Sequence, residues 1–88
     1  MPRPPLSAHQ KRLGRALGAE IKRRRGGASA ASLASSGGVG LDTWRKLEQG
    51  EVPTPGFFLI ADIATVLQVT LDELIAAARR QANEEAEP

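Results

Sequence analysis

Apolar residues recur at four-residue steps in the first third of the chain, and this spacing predicts one long amphipathic helix. Its buried stripe would consist of Leu13, Leu17 and Ile21. The segment Ser7-x-x-Gln10 has the form of a capping box, which places the start of this helix at Ala8. Three arginines and two glycines, residues 23–27, end it. Gly14 and Gly18 either weaken this helix or permit the close approach of another one.

The stretch from Ser29 to Gly50 predicts two short helices joined by a tight turn. Ser29 is a candidate N-cap for the first of them. Gly37 and Gly38 would end that helix, since glycine adopts a positive φ at no steric cost. The inward positions of the two helices and the turn would be Leu33, Ala34, Val39, Leu41, Trp44 and Leu47. This pair of helices is the centre of the predicted fold.

Two further helices are predicted in the second half of the chain. The loop Glu51–Pro55 leads to a fourth helix that begins at Pro55 or Gly56. Its core face would contain Phe57, Ile60, Ile63, Ala64 and Leu67. Thr70-x-x-Glu73 is a second capping box and opens a fifth helix. The apolar face of that helix would contain Leu71, Leu74, Ile75 and Ala78.

Phe58 and Leu59 are two large apolar residues in the first turn of the fourth helix, on what should be its outer face. Two interpretations remain open for them. They form a surface that another molecule covers, or the first turn of the helix rotates and places both in the core.

Composition limits the chain to one small domain. Its 88 residues include no cysteine and one histidine, which excludes disulfides and gives no metal cluster. No apolar run approaches the roughly 20 residues needed to span a bilayer. No set of catalytic residues is recognisable, so we expect a cytoplasmic protein that is not an enzyme and has no cofactor. Prolines predict a flexible arm at residues 1–6, and the polar end predicts a disordered acidic tail at residues 83–88, which leaves residues 7–82 as the folded domain.

Charge is distributed unevenly along the sequence. Residues 1–25 hold eight of the twelve basic residues and one acid, whereas residues 51–88 hold seven acids and two bases. A basic half opposite an acidic half is compatible with one side that faces a polyanion, but taken alone it is more typical of a solvated helix with an acidic tail.

The central stretch resembles the helix-turn-helix of the Xre/phage-repressor-like (lambda-repressor-like) family of DNA-binding proteins. The motif positions are Ala34, Gly38, Val39, Trp44 and Leu47, followed by the ending Leu47-Glu48-Gln49-Gly50. The similarity continues through Pro53, Pro55, Ile63-Ala64, Leu67, Val69 and Leu71-Asp72-Glu73-Leu74. It covers about Leu13 to Ala78 and implies an all-α fold of five helices, with the helix-turn-helix at helices 2 and 3.

The resemblance also implies which residues would bind double-stranded DNA. In that family the second helix of the motif lies in the major groove, and the first places its N-terminus on a phosphate. The corresponding positions here are Ser29, Ala30, Gly40, Leu41, Asp42, Thr43, Arg45 and Lys46. An arginine at the end of helix 1 often pairs with the residue that corresponds to Glu48. Any of three arginines could do so, and Arg25 is the first choice.

By this resemblance the chain would be a bacterial transcriptional regulator, in particular a repressor that acts as a homodimer. The dimer contact would involve Phe58, Leu59, Leu74 and Ile75. The alternative is a protein-interaction module or an antitoxin-like partner on the same scaffold, with weak or no DNA binding. Alanine at position 30 and glycine at position 40, where the family usually has side-chain donors, leave this alternative open.

Overall fold

The computed structural model describes residues 6–86, which form five α-helices and no strand. The helices are α1 (Ala8–Arg25), α2 (Ala30–Gly37), α3 (Leu41–Glu48), α4 (Phe57–Leu67) and α5 (Leu71–Ala86). The predicted all-α fold with five helices is confirmed. Of the predicted N-terminal arm, only Leu6 lies within the described residues, and it is exposed.

Side-chain caps fix the first residues of α1 and α5 at the predicted places, whereas α4 begins at Phe57 rather than at Pro55 or Gly56. The Ser7 hydroxyl accepts from the Gln10 amide at 3.1 Å, and the Gln10 side chain accepts from the Ser7 amide at 2.9 Å, so the capping box of α1 is complete. At α5 the Thr70 hydroxyl accepts from the Glu73 amide at 3.0 Å. The Glu73 carboxylate accepts from the Thr70 hydroxyl rather than from a backbone amide.

The core lies where all five helices meet. Its largest fully buried side chains are Trp44, Ile21, Leu47, Ile63 and Leu74. The prediction that Leu74 belongs to a dimer contact is therefore wrong, because a side chain with no exposed surface has none to offer a second copy. The core position predicted for Phe57 is also wrong, since this side chain is 67% exposed. Phe57 is the first residue of α4, and its side chain projects into solvent, whereas Ile60 in the same turn is buried in the core.

Phe58 and Leu59 differ in their exposure, so the core interpretation holds for Leu59 alone. Phe58 is 79% exposed, whereas Leu59 is half-buried and packs against the core. Ile75 on α5 is 41% exposed and remains available for contact.

Helices α1 and α5 pack antiparallel through small residues. Ala16, Ala78 and Ala82 are buried between them. Arg15 lies 3.9 Å from Glu85 near one end of the pair, and Arg24 lies 3.8 Å from Glu73 near the other. The disordered tail predicted from residue 83 is wrong as far as Ala86, because α5 continues to that residue. The buried Ala82 anchors this last part of the helix against α1. The polar composition of residues 83–88 gave no sign of this contact.

Glycines allow α1 to lie directly against α3 and the loop that follows it. A Cβ on Gly14 would approach the Pro53 Cα to 2.5 Å. A Cβ on Gly18 would overlap the Leu47 carbonyl oxygen and lie 3.0 Å from the Glu48 carbonyl oxygen. Of the two roles considered for these glycines, close approach is the one that the packing supports.

Candidate nucleic-acid interface

The turn between α2 and α3 is fixed by backbone hydrogen bonds and one left-handed glycine. The Ser29 hydroxyl accepts from the Ser32 amide at 3.0 Å and caps α2, as predicted. At the other end Gly38 has φ 68°, and the Val39 amide donates to the Ala34 carbonyl at 2.9 Å. Val39 is 9% exposed, so it anchors the turn in the core.

Helix α3 has one face in the core and one in solvent. Trp44 and Leu47 are buried, and the inward position predicted for Trp44 is confirmed. Among the residues predicted to contact DNA, those that are exposed are Ser29, Gly40, Asp42, Arg45 and Lys46. Leu41 and Thr43 are half-buried, and Leu41 packs against the core. The outer face of α3 therefore presents mainly charged side chains.

Glu48, at the end of α3, links this helix to α1. Its carboxylate accepts from Arg25 Nε at 2.7 Å and from Arg25 Nη2 at 3.0 Å, so the first choice for the arginine partner is confirmed. The same carboxylate accepts from the Trp44 indole N–H at 2.7 Å. Sequence reasoning missed this third bond, although Trp44 and Glu48 stand four residues apart and neighbour each other on a helix. The three side chains together fix the orientation of α3.

The charged form of Glu48 is favoured in this setting. Burial by itself raises the pKa of Glu48, but the hydrogen bonds from Arg25 and Trp44, together with the positive charges of Arg25 and Lys22, outweigh burial and leave the pKa below its ordinary value of 4.5. The carboxylate therefore stays ionised at neutral pH and holds both donors.

A second carboxylate takes up most of the remaining charge at the end of α1. Glu20 is 3% exposed and accepts from Arg23 Nε at 3.0 Å and from Arg24 Nε at 2.7 Å. Burial raises the pKa of Glu20, and the two arginines lower it further than burial raises it. The spacing of three and four residues could have revealed this cluster in the sequence. Three arginines of the basic stretch are thus bound to carboxylates and are not free cations.

The charges on the outer face of α3 are partly paired. Lys46 Nζ lies 3.1 Å from Asp42 Oδ2, one helical turn away. Arg45 makes no ion pair within residues 6–86. It is therefore the cation of this face that can reach a ligand without first leaving a carboxylate.

The first turn of α3 leaves room for an approaching ligand. Gly40 is the N-cap, and no side chain caps the helix there. A Cβ on Gly40 would meet only the Thr43 hydroxyl, at 3.7 Å. The backbone of this turn is thus open to solvent on its outer side.

Within residues 6–86, no group of three acidic or histidine side chains is placed to hold a metal ion. None of the helices in the same range has the length and apolar character that crossing a bilayer requires.

A comparison with known protein families matches the part of the chain that contains this candidate interface. The family model described as "Helix-turn-helix domain" matches residues 12–78, which include α2, α3 and α4 entirely. No curated protein matches the chain significantly. The match covers well over half of the sequence, and it includes the turn and both helices described above. The chain therefore belongs to the helix-turn-helix domain family.

Proposed function

We propose that this protein is a bacterial transcriptional regulator of the Xre/phage-repressor type that binds a specific double-stranded DNA sequence. One observation carries the proposal. A helix of eight residues presents Arg45 and Lys46 to solvent, while its opposite face is locked to the core and to α1. A rigid, exposed helix of this kind fits the major groove of DNA.

Three side chains of α3 and the N-terminus of α2 each have a chemical role in this proposal. Arg45 donates two hydrogen bonds to O6 and N7 of a guanine, which is the commonest specific contact in such complexes. Thr43 offers its methyl group to a thymine or its hydroxyl to a phosphate. Lys46 contacts the DNA backbone once it leaves Asp42. The N-terminus of α2 at Ser29 and Ala30 receives a phosphate through backbone amides.

Repression follows if the recognised sequence overlaps a promoter, because the bound protein then excludes the polymerase. The DNA sequence is best found by selection from a pool of random duplexes, followed by fluorescence-anisotropy titration at two salt concentrations. We expect the selected duplex to bind at least about a thousandfold more tightly than a random one. We also expect affinity to fall steeply with salt, since phosphate contacts release counterions.

A protein-interaction module is the second candidate, and one observation favours it. The carboxylate of Asp42 occupies the first turn of α3, where it repels phosphates, and it holds Lys46 at 3.1 Å. In a module of this kind α3 would contact a protein with a basic patch. The selection described above separates the two functions, because an interaction module would enrich no sequence and would bind all duplexes with equal, weak affinity.

A further inference from the structure

An apolar groove lies on the face formed by α1, α4 and α5, and it has a volume of about 380 Å³. Its wall consists mainly of aliphatic side chains, which include Leu13, Leu17, Ile60 and Ile75, together with the ring of Phe57. None of the residues proposed to contact DNA lines the groove. It is therefore a separate surface, which a ligand can occupy whether or not α3 is bound to DNA.

The groove is preformed, because the loop after α3 is held against α1. Pro53 and Pro55 line it, and proline has a fixed φ and no backbone N–H. The Pro53 backbone lies so close to α1 that a Cβ on Gly14 would approach the Pro53 Cα to 2.5 Å. A ligand that enters the groove therefore meets a fixed apolar wall, and little free energy is lost in ordering that wall.

Arg79 is the one charged side chain among the described residues that line the groove. It is exposed and makes no ion pair within residues 6–86. A guanidinium carries one positive charge and a planar fork of N–H donors, which match the single charge and the two oxygens of a carboxylate. The groove thus offers apolar surface to a hydrocarbon and one cation, reached from solvent, to an anionic head group.

We infer that this groove is a binding site for a compact monocarboxylate with an apolar chain, of the kind found in medium-chain fatty acids. The chain displaces water from the aliphatic wall, which is favourable, and the carboxylate binds Arg79. The volume lies near the lower end of the range for small-molecule sites, roughly 300–1,000 Å³. A small ligand therefore fills the groove.

The size of the groove favours a small molecule over a protein as the occupant. Ten residues line it, whereas a stable protein interface takes about 20–30 residues from each side. The inference does not depend on the proposed DNA binding, and its test is made without DNA.

Octanoate is the probe, and an amide NMR titration of the whole chain measures both its affinity and its location. We expect the largest shifts at residues that line the groove, such as Leu17, Ile60 and Ile75, and none on the outer face of α3. Octanol, which has a chain of the same length and no charge, should shift the same amides. Acetate has the charge without the chain and should not bind measurably, because most of the apolar contact is missing.

Arg79→Gln separates the contribution of the head group from that of the chain. It should weaken octanoate binding by at least about threefold, the effect of an exposed ion pair, and leave octanol binding unchanged. Arg80→Gln is the matched control, since Arg80 is exposed on the same helix but does not line the groove. It should change neither affinity.

A charge reversal makes the test sharper. Arg79→Glu should bind octylammonium at least about threefold more tightly than the original protein does, and it should lose affinity for octanoate. Octanol binding by each variant shows that its groove is intact.

Three results would overturn the inference. The first is the absence of amide shifts at millimolar octanoate, and the second is an equal loss of affinity in Arg79→Gln and Arg80→Gln. The third is the appearance of the same shifts when the protein concentration is raised without ligand, because a second copy would then occupy the groove.

Discussion

At the scale of single residues, the orientation of the proposed reading helix depends on Glu48. This one carboxylate receives two hydrogen bonds from α1 and one from the indole of Trp44. The side chains of Arg25 and Glu48 are 20% and 9% exposed, so water screens the pair only weakly. Loss of the charge would leave a half-buried guanidinium and a buried indole N–H with a weaker acceptor.

We expect Glu48→Gln to lower the free energy of unfolding by about 1–3 kcal/mol at neutral pH, because hydrogen bonds to a charged acceptor are lost. The pKa of Glu48 is depressed in the folded protein, so its stabilisation is complete above the ordinary pKa of 4.5 and is lost as the pH falls through the lower folded pKa. The difference in the free energy of unfolding between the original protein and Glu48→Gln should therefore shrink below pH 4.5. Urea unfolding at neutral and acidic pH measures it.

Glu20 also contributes to the pH dependence of stability. Its contribution cancels when Glu48→Gln is compared with the original sequence, because both proteins contain Glu20. Glu84→Gln is the matched control, since Glu84 is exposed and makes no ion pair within residues 6–86. It should change stability by less than about 0.5 kcal/mol. A difference between Glu48→Gln and the original sequence that stays constant with pH would contradict the role assigned to this carboxylate.

In the proposed complex, the carboxylate of Asp42 on the exposed face of α3 would repel DNA phosphates. Replacing it by asparagine frees Lys46 from its 3.1 Å ion pair and removes a negative charge from the face that would meet phosphates. We expect Asp42→Asn to tighten binding to the selected duplex by at least about threefold at low salt, and to steepen the salt dependence by about one phosphate contact.

Glu84→Gln again serves as a control in the same anisotropy titration. It changes the net charge by the same amount, but it lies on the last part of α5. If both variants change affinity equally, only net charge matters and Asp42 has no local effect on the interface.

At the scale of elements, the contact between α1 and α3 sets the position of the interface. Gly18→Ala would place a Cβ against the carbonyls of Leu47 and Glu48, which are backbone atoms and cannot rotate away. We expect a net loss of stability of about 1–3 kcal/mol from overpacking, although alanine by itself favours a helix by up to about 1 kcal/mol over glycine. Thermal or urea unfolding measures the loss.

Gly27→Ala is the matched control, because a Cβ there meets no atom within 4 Å. It should lie within about 0.5 kcal/mol of the original sequence. If Gly18→Ala is as stable as this control, the two helices are not in the close contact described here.

At the scale of the whole molecule, local pattern predicted most of the fold. Caps at Ser7, Ser29 and Thr70 mark the starts of helices through hydrogen bonds between near neighbours in sequence, which a sequence contains directly. Exposure was harder to predict. Leu74 was correctly predicted on the apolar face of α5 but wrongly assigned to a dimer contact, and Phe57 was wrongly placed in the core. Burial depends on how distant helices meet, and no local pattern describes that meeting.

In the candidate site, too, local features could be predicted from the sequence and long-range ones could not. Its helix boundaries, the turn at Gly38 and the Arg25–Glu48 pair follow from spacing and resemblance. The uneven charge was less informative, since the arginines at the end of α1 bind Glu20 and Glu48 and are not left free for a polyanion. Four basic residues of this half, Arg15, Arg23, Arg24 and Arg25, thus pair with carboxylates inside the protein. On α3, Arg45 makes no ion pair within residues 6–86.

The central claim is that α3 reads base edges through Arg45, and replacing this residue tests it most directly. Arg45→Ala and the control Arg80→Ala, an exposed arginine on α5, would be titrated against the selected duplex and against duplexes altered at each base pair. We predict that Arg45→Ala alone loses about 1–3 kcal/mol of binding free energy and relaxes preference at one position. Equal losses for both variants, with base preference unchanged, would contradict the claim.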